Sequence, residues 1–560
     1  MSVRTNEAPG NVSLIGGEML LWSDMSAVAG VTDWRDVALE LIRRLMPAGG
    51  RVLLVGPHPQ PLVDEVAEAA GTAAVLLRSY PDACALGERH PDLAVYCGRL
   101  EVFDAGEPYD LVLALDGLMR THSAEAPASA WRQSLAALAG LVAPGGRLVL
   151  GVRNDLGVDR SLEARPADRE CGDDQWAPHG FDPSYPGGPD DLDRGLEAAG
   201  LNLLRCYAAY PDRQAPRALM SREVLREDLP DALTFTLSAR EDERMLAADP
   251  LRLTRLVFRH RLGDQLAPMW LAIATRTPAT EKPPAEETVT SSATEVSAAE
   301  EPGGAAELPL GLFEEGAGLY ELLPAGVRRL PDGEERPIPG GRVVEEILVD
   351  ACAREDVATV RELLSALATW LEDEDGDPSA GTDSLVHDGA RFAAIARPAD
   401  LPERPDPKVA LCRILRRFAV RLLAAGHHHP WPWPLEADQL TLTLCAMAGR
   451  ECDQKDVDQA RKLDVELGRP AELTGHTPTY RDLLRGRDRL ADQLAAALAR
   501  IARLETKLTY RERELVKTKA RLRRSRRKAG AYRRSLGYRL TRRLSRPRKV
   551  ARRVMRLLSG

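Results

Sequence analysis

The sequence is poor in features that mark several classes of protein. Aromatic side chains make up 5% of the 560 residues, and no two of the eight cysteines form a CxxC pair. Cysteines spaced in this way predict neither a zinc cluster nor a redox dithiol, so we expect no metal site. An apolar run of about 18 residues, long enough to span a membrane, is missing. The amino terminus lacks a basic stretch followed by an apolar one, so we expect no secretory signal and a cytoplasmic location.

Positive charge is concentrated at the carboxyl terminus. Residues 511–560 contain 21 lysines and arginines against two acidic residues, a formal charge of +19. The rest of the chain carries −27, so the net charge of −8 conceals an acidic body and a basic tail. Such a tail indicates an anionic partner, which the charge alone does not identify.

Composition divides the chain into regions. Residues 278–308 are rich in Pro, Ala, Glu, Thr and Ser, with almost no large apolar side chains. This segment cannot bury enough apolar surface to offset its ordering entropy, which predicts a disordered linker. The patterns on either side predict an α/β domain over 1–277, a mainly helical accessory domain over 309–470, a coiled coil over 480–525 and a basic amphipathic tail over 526–560.

Short apolar strands alternate with amphipathic helices in the first region. Strands are predicted over 51–55, 73–77, 109–116 and 147–152, and helices over 33–45, 61–70 and 130–141. Continuous apolar strands between turn residues are typical of a parallel sheet covered on both faces. Right-handed crossovers then give a doubly wound α/β domain.

Three segments of this region resemble class I S-adenosylmethionine-dependent methyltransferases: VLLVG (52–56), YDLVLALDGL (109–118) and LAGLVAPGGRLVLGVRN (138–154). Residues 151–157 and the Tyr-Pro-Asp segment 206–216 are similar to a bacterial subgroup associated with surface polysaccharides. The resemblance spans roughly residues 30–275. It implies a Rossmann-like methyltransferase fold, S-adenosylmethionine as cofactor, and a sugar or lipid-linked glycan as substrate.

The same resemblance implies a set of site residues. Gly56, Arg78 and Asp116 would contact the cofactor, and Arg153 and Asn154 would face the acceptor. Methylation of a hydroxyl needs a general base, for which Asp116 and His58 are the candidates. Asp116 could equally be a turn or helix-capping residue, and His58 a surface loop residue.

Two departures from the family pattern keep a second hypothesis open. Only Gly56 remains of the glycines in the first strand–helix turn, which here reads Gly-Pro-His-Pro-Gln-Pro. Arg78 stands where a carboxylate would accept hydrogen bonds from ribose hydroxyls, and a guanidinium cannot accept them. The chain is therefore either an active methyltransferase or a non-catalytic scaffold for glycan-assembly enzymes.

The middle region contains three predicted amphipathic helices, over 343–354, 357–372 and 408–425, and a short hairpin after residue 383. A run of three histidines, 427–429, precedes Pro-Trp-Pro-Trp-Pro. Consecutive histidines point in different directions, so we expect a rigid loop with Trp431 and Trp433 packed on neighbouring helices rather than a metal site.

The last region predicts self-association and membrane contact. Leu494, Ile501, Leu508, Leu515 and Leu522 recur every seven residues, which is typical of a homo-oligomeric coiled coil. After the coil, an apolar stripe runs along a helix rich in arginine, with an interruption expected at the proline in position 547. A basic helix with such a stripe is typical of an interfacial membrane binder. Nucleic acid would attract the charge but does not require the stripe, so we expect an anionic membrane surface instead.

Overall fold

The protein is described from a computed structural model, which separates into two compact units, residues 1–482 and 483–560. The described residues are 8–15, 21–25, 31–34, 36–122, 129–162, 182–238, 250–277, 308–315, 318–331, 333–373, 376–395, 404–424, 427–431, 436–467 and 480–558. The predicted linker lies outside these residues except for position 308, and so does Trp433.

Strands and helices alternate in the first part of the larger unit, as predicted. In chain order the elements are β1 (Val12–Leu14), α1 (Asp36–Leu45), β2 (Arg51–Val55), α2 (Gln60–Ala69), β3 (Thr72–Leu77), α3 (Tyr80–Arg89), β4 (Ala94–Cys97), β5 (Tyr109–Ala114), α4 (Trp131–Gly140), β6 (Val142–Arg153), α5 (Val158–Leu162), α6 (Pro189–Ala198), β7 (Leu201–Tyr210), β8 (Ala218–Ser221), α7 (Arg222–Leu225), α8 (Asp231–Ser238), α9 (Pro250–Arg259) and β9 (Met269–Arg276).

These strands form a Rossmann-like, doubly wound sheet, which confirms the α/β part of the predicted fold class. Strands β1, β4, β3, β2, β5 and β6 are adjacent in that order and parallel, and β9 pairs antiparallel with β6 and with β7. Side chains alternate between the faces: Leu53 and Val55 of β2 enter one hydrophobic core, and Val52 and Leu54 enter the other. Both faces of the strand are therefore buried, as expected for a parallel sheet covered by helices.

The sheet continues past the predicted domain boundary. Strands β10 (Gly311–Glu315), β11 (Gly318–Leu323), β12 (Gly326–Arg329) and β13 (Glu335–Arg336) extend it to 13 strands within the described ranges, because β10 pairs with β8. Tyr207 in β7 also donates a hydrogen bond of 2.7 Å to the carbonyl of Pro309. The α/β domain therefore does not end before residue 309, since residues 311–336 belong to the same sheet.

The helical region comes after this extension. Its elements are β14 (Arg342–Val343), α10 (Val344–Ala353), α11 (Val357–Glu372), β15 (Leu385–His387), β16 (Phe392–Ala394), α12 (Pro407–Ala424), α13 (Ala437–Met447) and α14 (Gln454–Glu466). The three predicted helices correspond to α10, α11 and α12, and the predicted hairpin to β15 and β16. The helices enclose a hydrophobic core of their own, while Val343, Val386 and Ile395 pack into the core of the sheet domain.

The smaller unit consists of two helices. α15 (Tyr480–Arg534), which begins just before this unit, is roughly 80 Å long at 1.5 Å per residue, and α16 (Leu536–Leu558) comes after it. The long helix occurs where it was predicted, and its heptad side chains are about half exposed in the single chain. The expected interruption at position 547 is wrong, because α16 continues through the proline there. Among the described residues, no helix is both long and apolar enough to span a membrane.

Candidate functional site

The carboxyl ends of β2, β3, β5 and β6 meet at one edge of the sheet, where doubly wound folds bind their ligands. Gly56 follows β2, Arg78 follows β3, Asp116 lies two residues after β5, and Arg153 ends β6. Four of the predicted site residues therefore lie at the same edge. The contacts of their side chains, however, do not all agree with the cofactor-binding and substrate-binding roles that the resemblance implied.

The turn after β2 leaves room for a ligand at Gly56. Its φ of +85° lies in the left-handed region, and a Cβ atom built on this residue would meet no atom within 4 Å. Its amide donates a hydrogen bond of 2.9 Å to the carbonyl of Leu76 in β3. Only glycine adopts this conformation without strain, and the space beside it is where a ligand can approach the backbone.

His58 is buried in the same turn, with both ring nitrogens bound to backbone. Its Nδ1 lies 2.9 Å from the carbonyl oxygen of Gly56, and its Nε2 accepts a hydrogen bond of 3.3 Å from the amide of Leu115. This pattern fixes the tautomer with the proton on Nδ1. Burial lowers the pKa of His58 to about 4, so the ring is neutral at pH 7. The expectation of a general base at His58 is corrected: neither nitrogen is left for a substrate, and the ring instead holds the first turn against β5.

Asp116 lies at the centre of the edge between two arginines. Its Oδ1 accepts a hydrogen bond of 2.9 Å from Arg153, and its Oδ2 lies 3.5 Å from the Nε of Arg120. The Thr32 hydroxyl also contacts Oδ1, at 3.4 Å. Asp116 is 3% exposed, and among the described residues Oδ2 has no hydrogen-bond partner. A buried carboxylate oxygen in this state is a candidate acceptor for a ligand proton.

Arg78 is already paired, which the sequence did not indicate. Its Nε and one terminal nitrogen donate to the two carboxylate oxygens of Asp24 at 2.7 and 2.9 Å. Its other terminal nitrogen donates to the carbonyl of His122 at 3.0 Å. The expectation that Arg78 binds the cofactor is corrected, because its guanidinium is committed to a carboxylate from the amino-terminal segment.

That amino-terminal segment brings acidic groups to the end of β3. The amide of Asp24 donates a hydrogen bond of 2.7 Å to Oδ2 of Asp82, and the Ser23 hydroxyl donates a hydrogen bond to Oδ1 of the same residue. Arg120 connects the two halves of the edge, since it donates 3.4 Å to the carbonyl of Asp24 and also lies against Asp116. Asp24 and Arg120 were missed from the sequence. A lone acidic residue 54 positions before Arg78 gives no local signal of the pair.

Asn154 does not face a ligand. Its side-chain nitrogen donates hydrogen bonds of 2.8 Å to the carbonyls of Gln265 and Ala267. Its side-chain oxygen accepts a hydrogen bond of 2.9 Å from the backbone amide of Leu156. The side chain is 3% exposed. The expectation of a substrate-binding role is corrected, because these bonds use the amide group to join the end of β6 to the segment before β9.

The three consecutive histidines make separate contacts. The buried ring of His429 lies 5.7 Å from that of Trp431, between centroids. His428 contacts a carboxylate oxygen of Glu355 at 3.0 Å. Trp431 packs against the helical core, as expected for a rigid loop.

No protein-family model matches the chain, and no curated protein matches it. Solved structures that match part of it include a TehB-like SAM-dependent methyltransferase from Corynebacterium glutamicum, with 13% identity over 43% of this chain and 86% of that one and a TM-score of 0.23. The N-methyltransferase NodS from Bradyrhizobium japonicum matches at 14% identity, over 43% of this chain and 93% of that one, with a TM-score of 0.22. The CcbJ methyltransferase from Streptomyces caelestis matches at 15% identity, over 43% of this chain and 88% of that one, with a TM-score of 0.24. Similarities with such TM-scores do not establish the fold, which is assigned from this chain's own strand order.

The buried histidine predicts a pH-dependent stability. The unfolded chain binds a proton at this side chain below about pH 6.5, whereas folded His58 stays neutral down to about pH 4. The unfolded state therefore binds more protons between about pH 6.5 and about pH 4. As the pH is lowered through this window, the free energy of unfolding falls by about 1.4 kcal/mol for each pH unit. Urea unfolding between pH 7 and 4.5 should show a steeper loss for the wild type than for His58→Asn, which keeps a donor for Gly56. The exposed-site control His260→Asn should follow the wild type; parallel profiles for the wild type and His58→Asn would refute the assignment.

Proposed function

We propose that this chain is an S-adenosylmethionine-dependent methyltransferase that modifies a hydroxyl of a sugar or lipid-linked glycan at the inner face of the plasma membrane. One observation carries the proposal: the open space at Gly56 lies at the same sheet edge as the buried Asp116, whose Oδ2 is free of hydrogen bonds among the described residues. The Rossmann-like strand order supports it, since this edge is where such folds bind ligands.

The residues at the edge fit this cofactor in chemical terms. The backbone at Gly56 leaves room for a ligand to approach, and the carboxylates of Asp24 and Asp82 lie at the end of β3, where ribose hydroxyls need acceptors. Both carboxylates are already hydrogen-bonded, but each oxygen has two lone pairs and can accept another donor. Asp24 thus supplies, from the amino-terminal segment, the acid that is missing at position 78. When bound, the cofactor supplies a methyl group on a positively charged sulfur.

Asp116 is the residue that can take up the proton. A hydroxyl that gains a methyl group must lose its proton, and Oδ2 of Asp116, which accepts no hydrogen bond from the described residues, can take it up. Arg153 holds the other oxygen at 2.9 Å and thereby fixes the orientation of the carboxylate. Thr32 and Arg120 contact the same carboxylate, and together these groups leave it 3% exposed.

The glycan acceptor is supported by the segment that resembles the polysaccharide-associated subgroup. The carbonyl of Arg213, in the Tyr-Pro-Asp segment, accepts a hydrogen bond of 3.0 Å from Thr32, which in turn contacts Asp116. Asp212 forms the turn of this segment by accepting from the amides of Gln214 and Ala215 at 2.7 and 3.0 Å. The segment thus reaches the site through a single intervening residue.

A specific observation also favours the scaffold alternative. The Arg78–Asp24 pair occupies the end of β3, and His58 holds the first turn in one position through two backbone contacts. If these contacts exclude the cofactor, the same fold serves only to recruit other enzymes. Binding of the cofactor product therefore separates the two functions.

Membrane attachment is proposed for α16. Leu536, Leu540, Val550, Val554 and Leu557 lie on one face of this helix and are at least half exposed, while arginines cover the other faces. An apolar stripe within a basic helix binds at the interface of anionic membranes through both apolar burial and charge.

Self-association is proposed for α15. Its seam residues, spaced by seven from Leu494 to Leu522, are between 50% and 62% exposed in the single chain. We propose that a second copy of α15 packs on this seam, because it has the same seven-residue repeat. Two such seams bury each other by knobs-into-holes packing.

Calorimetric titration of S-adenosylhomocysteine into the full chain tests the proposed activity. We expect micromolar binding, reduced at least tenfold in Gly56→Val because the side chain would fill the ligand space. Gly49→Val is the matched control: Gly49 also has a left-handed φ, of +67°, and open space, but lies at the opposite end of β2. Its binding should equal that of the wild type, with both variants checked for folding by circular dichroism. Absence of binding at millimolar ligand by the folded wild type would favour the scaffold.

Light scattering after size exclusion tests the coil. The full chain should be a dimer or trimer at micromolar concentration, and Ile501→Lys with Leu508→Lys should give monomer, because lysines at seam positions disfavour burial of the seam. Val516→Lys changes an equally exposed apolar residue one position off the seam and should leave the oligomer intact. A monomeric wild type would contradict the proposal.

Co-sedimentation with vesicles tests the tail. The wild type should bind phosphatidylglycerol vesicles and not phosphatidylcholine vesicles. Replacing Val550, Val554 and Leu557 by serine should weaken binding about 100-fold or more, since each buried aliphatic side chain contributes about 1 kcal/mol or more and about 1.4 kcal/mol corresponds to a factor of ten. Retention of full binding by this variant would show that charge alone acts, and absence of wild-type binding would refute membrane attachment.

A further inference from the structure

Three cysteines that are distant in the sequence converge in the helical region. Cys412 lies in α12, Cys445 in α13, and Cys452 in the turn before α14. Their sulfur atoms all lie within 4.8 Å of one another. The expectation of no metal site rested on the absence of a CxxC pattern. Residues separated by 33 and 7 positions form no such pattern, but the helix packing brings them together.

The cluster is largely enclosed by the packing of the three helices. Cys412 and Cys445 are fully buried in the helical core, and Cys452 packs against that core at its edge, half-buried. All three are free thiols. The cluster is therefore closed on the side of the core and open on the side of Cys452.

The surroundings favour negative charge at the sulfur atoms. Cys452 immediately precedes Asp453, the residue that caps the amino terminus of α14, and helix amino termini stabilise thiolates. Lys408 lies one helical turn before Cys412 and binds Asp456 at 2.9 Å, so a cation and a carboxylate flank the cluster. The amino terminus of α14 thus favours a thiolate at Cys452.

We propose that Cys412, Cys445 and Cys452 bind a Zn²⁺ ion through three thiolates, with a fourth, exchangeable ligand on the open side of Cys452. Thiolates are ligands that Zn²⁺ prefers, and zinc–sulfur distances of about 2.3 Å in a tetrahedron place the sulfurs about 3.8 Å apart. The observed separations, up to 4.8 Å, need only a small contraction. Binding converts the remaining thiols to thiolates and releases their protons to solvent.

The site joins elements that hydrophobic packing and the Lys408–Asp456 ion pair connect at this point. A bound ion would link α12 to α13 and to the start of α14, and would thereby stabilise the helical region. Because the cluster shares no residue with the edge that carries Gly56 and Asp116, this inference stands whether or not the chain is a methyltransferase.

Zinc titration of the full chain tests the proposal. Protein is stripped with chelator, kept reduced, and titrated with Zn²⁺ in competition with a chromophoric chelator; Co²⁺ is then used as a spectroscopic probe, because its charge-transfer absorption reports thiolate ligation. We expect one equivalent bound, thiolate-to-cobalt absorption, and a zinc-dependent rise in the melting temperature.

Single substitutions identify the ligands. Cys452→Ser, at the half-buried position least disruptive to the core, should lower zinc affinity at least tenfold, and Cys445→Ser should do the same. Cys352→Ser is the matched control, since Cys352 is fully buried in the same core but lies outside the cluster, and it should retain one equivalent. Failure of the reduced, folded wild type to bind zinc would overturn the proposal, as would binding of Cu⁺ alone. A disulfide between two of the three cysteines after purification without zinc binding on reduction would also overturn it.

Discussion

The structure depends on one constraint: the central parallel strands must be buried on both faces. Alternate residues of β5 show it, because Leu111 and Leu113 belong to one hydrophobic core and Val112 and Ala114 to the other. Strands of this kind require helices on both sides. Right-handed crossovers then place the carboxyl ends of all the parallel strands at the same edge of the sheet. The open turn at Gly56 and the buried Asp116 lie together because of this arrangement, without any direct contact between them being needed.

The sequence was informative wherever a feature depended on local pattern. Apolar runs bounded by glycine and proline predicted β2 with its observed limits, β3 to within one residue and β5 to within two, since burial dictates composition directly. β6 begins five residues before its predicted start, and β4 was not predicted. Asp116 and Arg153 could also be placed, because they come at or just after the ends of buried strands. The strands after residue 310 were missed: short antiparallel strands next to a long low-complexity segment carry no signal that they complete a sheet whose first strand, β1, lies about 300 residues earlier.

Contacts between distant residues could not be predicted in the same way. The roles of His58 and Asn154 are set by backbone groups, at Leu115 and at Gln265 and Ala267, whose positions only the folded chain defines. Asp24 satisfies Arg78 from a segment that shows no periodicity of its own. Resemblance to a family therefore predicts where a residue lies more reliably than what its side chain does. The function of a side chain depends on the partners that the rest of the chain brings to it.

The pairing of β10 with β8 has a consequence for how the α/β domain can exist by itself. A fragment ending at residue 277 would keep β8 but lose the strand that covers its outer edge, and Ala218, Leu219 and Met220 would present unpaired amides and carbonyls beside apolar side chains. Exposed edges of this composition recruit strands from other molecules. Such a fragment is expected to aggregate at the β8 edge, so the smallest soluble piece of the fold must include residues up to 336.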